Sequence, residues 1–127
     1  MPHILVVDDE FLMRWSVAET LRAEGCAVRE AGDAATAMRA MADPRWGVDV
    51  VVLDYQLPDT RDLDLLCDMR RVGPGCQIIL MTADADPGLA RRALALGARC
   101  VIGKPFEMSD LASLVACVNR TRARSVS

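Results

Sequence analysis

Short aliphatic runs recur along the chain: "ILVV" at 4–7, "VVVL" at 50–53, "IILM" at 78–81 and the weaker "CVI" at 100–102. Unbroken apolar runs of this length belong to strands buried on both faces, so helices must cover the sheet above and below. The stretches between them have helical spacing. Phe11, Trp15, Ala18 and Leu21, and later Leu111, Leu114, Val115 and Val118, recur every three or four residues and predict amphipathic helices. With "AVRE" at 27–30 as a less marked second strand, the order is five β-α units ending on a helix. Right-handed crossovers then wind that order into an α/β fold, a five-stranded, doubly wound parallel sheet.

Punctuation agrees with this count. Gly25 closes the first helix, Asp33 can cap the second, "DPRWG" (43–47) breaks the chain before the third strand, and "GPG" (73–75) precedes the fourth. Pro87 suits the first turn of the fourth helix, and Gly97 ends it. A length of 127 residues fits one domain with a single core.

Composition excludes several classes. A net charge of -3 offers no global attraction to nucleic acid or to an anionic membrane. Only "NRTRARSVS" clusters cations, at Arg120, Arg122 and Arg124, and residues 121–127 read as a basic tail or the start of a linker after a domain at 1–120. The 5 cysteines are odd in number, form no Cys-x-x-Cys pair and have one histidine, His3, to help them. Zinc and a disulfide framework are disfavoured, and reduced, mostly buried thiols fit the cytoplasm. No run is long enough to span a membrane, and the N-terminus has no signal-peptide pattern. His3 reads as a surface residue.

In a doubly wound sheet, ligands bind beyond the carboxyl ends of the strands, where the strand order reverses. There the first strand delivers Asp8 and Asp9, the third Asp54, the fourth Thr82 and the fifth Lys104. Each has a structural explanation of its own. Asp8, Asp9 and Glu10 could cap a helix, Asp54 could begin a turn before Pro58, Thr82 could cap the fourth helix, and Lys104 could be a solvated charge. Five such residues on one edge are better explained by a site. The chemistry open to them is phosphoryl transfer to a carboxylate. Asp54 would be the nucleophile, Asp8 and Asp9 would hold Mg²⁺, and Lys104 and Thr82 would contact phosphoryl oxygens. The chain lacks both Gly-x-Gly-x-x-Gly and Gly-x-x-x-x-Gly-Lys-Ser/Thr, so dinucleotide and nucleoside triphosphate readings are weak.

"VVDDE", "VVLDYQLP", "MTA" and "KPF", in this order and at these separations, resemble the receiver domain of bacterial two-component response regulators. "RWSVAETL" is similar to receivers of nitrogen-regulation-type activators. The resemblance implies a flavodoxin-like fold and a phosphorylation-controlled switch, with Asp54 phosphorylated by a histidine kinase, a histidine phosphotransfer protein or small acyl phosphates. It implies Mg²⁺ at Asp9, Asp54 and the carbonyl of Gln56, with Asp8 acting largely through water. It makes Thr82 the switch hydroxyl, Lys104 the phosphate-pairing amine and Ala83 the small residue that leaves access. Gln56 and Asp84 fall at the positions that tune dephosphorylation. The implied partners are the phosphodonor and a downstream effector domain or protein, with homodimerisation on phosphorylation a further option; nucleic acid and membrane are not contacted directly. With no effector after the last helix, the chain reads as a stand-alone receiver or an excised one.

Two departures stand out. Val101 occupies the fifth-strand position where the family usually has Tyr or Phe, so no ring can follow Thr82 when it moves. Asp62 replaces the usual Gly after Pro58, which predicts a different loop path because a Cβ narrows the accessible backbone conformations. Two other classes compete with the switch: a phosphate-independent binding module, which Val101 keeps open, and a haloacid-dehalogenase-type phosphatase. The latter typically needs a second Asp two residues after the nucleophile, where this chain has Gln56. The reading is of a signalling switch rather than a turnover enzyme, one able to catalyse its own phosphorylation and dephosphorylation.

Overall fold

The computed structural model describes residues 1–84 and 86–126, with side chains through Thr121. Ten elements alternate along it: β1 (His3–Val7), α1 (Phe11–Ala23), β2 (Ala27–Ala31), α2 (Ala34–Ala42), β3 (Val50–Asp54), α3 (Asp64–Val72), β4 (Gln77–Thr82), α4 (Pro87–Ala95), β5 (Cys100–Gly103) and α5 (Met108–Val126). The strands pair in parallel in the order β2-β1-β3-β4-β5. The order reverses between β1 and β3, which fixes the switch point beside Asp8 and Asp54.

Strand side chains alternate between faces, so each apolar run fills two cores. Leu5, Val7, Val51, Leu53, Ile78 and Leu80 point to the side covered by α2, α3 and α4, where they meet Ala37, Leu66, Met69, Leu89 and Ala93. Ile4, Val6, Val50, Val52, Ile79 and Met81 point the other way, against Val17 and Leu21 of α1 and Leu111, Val115 and Val118 of α5.

The helix ends are built as the punctuation predicts. Asp33 accepts from the Thr36 amide at 2.7 Å, Pro87 lies in the first turn of α4, and Gly25 and Gly97 take φ of 90° and 109° beyond α1 and α4. Only glycine adopts those angles without strain. Thr82 does not cap α4. Asp86 does, accepting from the Gly88 amide at 2.9 Å.

α1 departs from its expected face. Val17, Ala18 and Leu21 are buried, whereas Phe11 is 61% and Trp15 48% exposed. Phe11 and Trp15 lie four apart on a neighbouring stripe of the helix, and the sheet meets the stripe through Val17 and Leu21. The cysteines are all free, but only Cys76 is fully buried; Cys26, Cys67 and Cys100 are half-buried and Cys117 is exposed. Burial pushes the Cys76 thiol pKa up, away from reactivity. His3 is half-buried rather than a plain surface residue: its ring stacks on Trp46 at 4.6 Å and pairs with the Gly47 carbonyl.

The α5 backbone continues through residues 121–126 of the expected tail. The side chains of Arg122 and Arg124 lie outside the described residues. No helix among the described residues is long and apolar enough to cross a membrane.

Candidate functional site

Backbone bonds between strands bring the strand-end residues to one edge. Asp8 N–H donates to the Ala31 carbonyl, Tyr55 N–H to the Met81 carbonyl, and Lys104 N–H to the Thr82 carbonyl, each within 3.0 Å. These bonds align the end of β1 with β2 and those of β3 and β5 with β4, and the β1–β3 ladder joins the two sets. A cleft of about 470 Å³ opens there, lined by Asp8, Asp9, Asp54, Thr82, Ala83 and Lys104 and bordered by Tyr55, Gln56 and Asp84. All of the strand-end residues singled out from sequence therefore converge on one cavity.

Asp8 and Asp54 are buried, while Asp9 is exposed. A carboxylate oxygen from each of the three lies within 4.8 Å of the others. Such an all-oxygen donor set suits a hard cation. Lys104 bridges the two buried acids, with Nζ 3.1 Å from Asp54 Oδ1 and 3.2 Å from Asp8 Oδ2. The remaining Asp8 oxygen accepts from the Glu10 amide at 2.9 Å, so this acid also shapes the entry into α1. The Lys104–Pro105 peptide is cis.

Burial holds the Asp54 carboxyl above its ordinary pKa, and repulsion from Asp8 adds to that; Lys104 and the Gln56 amide pull it back only in part. For Lys104, burial acts to lower the pKa, but hydrogen bonding and charge attraction from Asp54 and Asp8 outweigh it and raise the value. Thr82 is buried, and its hydroxyl is held locally, accepting from the Asp84 amide at 3.0 Å. Val101 is half-buried against the cluster that contains Leu89 and Ala93 of α4, a position with no ring to reorient.

Sequence reasoning missed three supporting roles. Arg14 donates to the Asp8 carbonyl at 2.9 Å and pairs with Glu30 at 3.2 Å, bracing β1 against β2. Asp59 accepts from the Ala34 and Ala35 amides at 2.7 and 3.1 Å, fastening the β3–α3 loop to the start of α2. Asp62 adopts φ of 46°, in the left-handed region that favours glycine. Asp is among the non-glycine residues that enter this region most readily. Its Oδ1 accepts from the Tyr55 hydroxyl and from Arg92 of α4, both at 2.8 Å. An acidic residue beside Pro58 was the only local signal for these contacts.

The chain is similar to known proteins over nearly its whole length. It is 36% identical over 124 residues to TcrX of Mycobacterium tuberculosis, a probable transcriptional regulatory protein, covering 97% of this chain and 52% of that one. It is 34% identical over 112 residues to the DNA-binding transcriptional regulator NtrC of Azospirillum brasilense, covering 88% of this chain and 23% of that one. The chain thus spans about half or less of these curated relatives. Among solved structures, a CheY-like receiver domain protein from Methanospirillum hungatei superposes with a TM-score of 0.92 at 25% identity, covering 98% of both chains. NtrX from Brucella abortus superposes with a TM-score of 0.89 at 30% identity, covering 98% of this chain and 29% of that one. Residues 4–116 match the response regulator receiver domain, and the chain belongs to that family of two-component signalling modules.

Proposed function

We propose that Asp54 is a Mg²⁺-dependent phosphoacceptor and that its phosphorylation switches the signalling surface of the domain. The observation that carries this reading is a buried carboxylate at the end of β3, next to a second buried acid and bound by Lys104 at 3.1 Å. A solvated turn residue would need neither the burial nor the bridging cation.

In the transfer step, an Asp54 oxygen attacks phosphorus, a new O–P bond forms, and the donor's P–N or P–O bond breaks with its electron pair leaving on the donor. Lys104 pairs with a phosphoryl oxygen, and the Thr82 hydroxyl turns from Asp84 toward another. Ala83 leaves the approach open. Asp8, Asp9, Asp54 and the Gln56 carbonyl would hold Mg²⁺. The chemistry supplied by the bound ion is neutralisation of charge on the phosphoryl oxygens. The acyl phosphate carries roughly −1.5 to −2 charge in place of the carboxylate's −1 and reaches further into the cleft, enough to bias a two-state surface.

The phosphodonor on this reading is a histidine kinase or a histidine phosphotransfer protein in the cytoplasm. The exposed Phe11, Leu12 and Trp15 follow the acidic cluster directly and give such a protein an apolar seat beside the cleft. The domain acts on an effector domain or protein rather than turning over a substrate. Residues 1–120 carry this function, with 121–127 leading into a linker or tail.

Intact mass spectrometry after incubation with Mg²⁺ and a small acyl phosphate tests the assignment. One phosphoryl adduct is expected, absent from Asp54→Asn and absent with chelator. Stoichiometric labelling of Asp54→Asn would sink it.

A further inference from the structure

Tyr55 follows the acceptor directly and, with Asp9 and Gln56, lines two adjoining clefts. One contains Asp54, Thr82 and Lys104; the other contains Pro58, Thr60 and Asp62. The Tyr55 hydroxyl is tied down. Asp62 Oδ1 accepts from that hydroxyl at 2.8 Å and also receives Arg92 Nη2 of α4 at 2.8 Å. A single carboxylate oxygen therefore joins the wall of the acceptor cleft to α4. On the opposite flank, Asp59 fastens the same loop to α2.

We infer that Asp62 and Arg92 position the Tyr55 ring as a wall against water, and so set how long phosphate persists on Asp54. The inference rests on Asp54 being the acceptor. Hydrolysis requires a water oxygen to attack phosphorus while the O–P bond to Asp54 breaks, the carboxylate leaving with the electron pair and the phosphate losing the extra proton of the water. A ring fixed at the wall of the acceptor cleft narrows the space from which that water can come. Release of Arg92 or Asp62 frees the ring and admits water. Because Arg92 belongs to α4, whatever draws its guanidinium away from Asp62 would shorten the signal. Val101 provides no ring for a second connection on that side of the sheet.

The test is the rate at which the mass adduct disappears from the whole chain after the acyl phosphate is removed. Asp62→Gly suits the left-handed backbone and deletes the carboxylate; Arg92→Gln deletes the charge; Tyr55→Phe keeps the ring and loses the tether. An ion pair with side chains 52% and 55% exposed supports changes of about two- to fivefold. Each single variant should lose phosphate about that much faster, and the Asp62→Gly/Arg92→Gln double no faster than the quicker single. Raising the salt concentration should accelerate loss in the unmodified chain but not in Arg92→Gln. Purely structural roles predict additive effects and no such difference in salt response. Lifetimes unchanged in all three variants, or fully additive effects, overturn the inference. An unmodified chain that takes no Asp54-dependent adduct instead overturns the acceptor reading itself.

Discussion

Lys104 Nζ lies 3.1 Å from Asp54 Oδ1 and so places a single cation where two buried acids would otherwise face each other alone. On the proposed reading, the lysine serves the resting fold as well as the reaction. Removing one partner of a buried ion pair leaves uncompensated charge, and at a site this enclosed the cost is on the order of 3 kcal/mol. Lys104→Ala should lose about that much stability in urea denaturation with chelator present and recover most of it in Mg²⁺. It should still bind Mg²⁺ while responding weakly to phosphate. Full activation of the variant by phosphorylation would remove the pairing role.

Mg²⁺ binding predicts a stability signal independent of phosphorylation. A ligand that binds only the folded chain stabilises it by RT ln(1 + [L]/Kd), about 2.7 kcal/mol at 100 times Kd. The Tm of the unmodified chain should rise with Mg²⁺ concentration, and the rise should shrink in Asp9→Asn and Asp54→Asn. The three clustered carboxylates make this test specific to the site. Equal rises in all three proteins would place the ion elsewhere.

The two stripes of α1 make opposite predictions. Leu21 is buried in the core shared with α5, so Leu21→Ala should cost about 2–5 kcal/mol. Phe11 is largely exposed, with the Arg14 guanidinium 5.5 Å from its ring centroid, so Phe11→Ala should stay within about 0.5 kcal/mol. Midpoints and slopes of denaturant unfolding measure both.

That helix also shows where legibility ended. The sheet could be read because aliphatic runs such as Ile4–Val7 and Val50–Leu53 carry their burial in consecutive residues, and because strand order follows from alternation. Asp8, Asp54, Thr82 and Lys104 were legible because a strand end is a local feature and chemical type marks it. The face of α1 was not, since Phe11 and Val17 are both apolar and only the neighbouring sheet chooses between them. Nor was the Tyr55–Asp62–Arg92 chain, whose last contact joins residues 30 apart. A tether of that kind leaves no periodic trace, and Asp62, a departure from glycine in the sequence, takes a left-handed backbone that aspartate tolerates.

Asp54 carries the pH dependence of the cleft. Burial and Asp8 raise its pKa in the folded chain, so the native state binds that proton more tightly than the unfolded state does. The stabilisation is fully present below the ordinary carboxyl value and is lost as pH rises through the raised value. Lys104, also raised, contributes stability that is lost only well above neutrality, outside this window. Asp54→Asn removes the repulsion from Asp8 at every pH and still offers Lys104 an acceptor oxygen. With chelator present, the variant should melt a few degrees above the unmodified chain at pH 7, and the gap should close as pH falls through the carboxylate range. Parallel thermal unfolding curves from acid to neutral pH give the comparison, with the other carboxylates common to both proteins. A gap that widened toward acid would reverse the sign of the Asp54 shift and would mean that Lys104, rather than burial and Asp8, dominates the resting site.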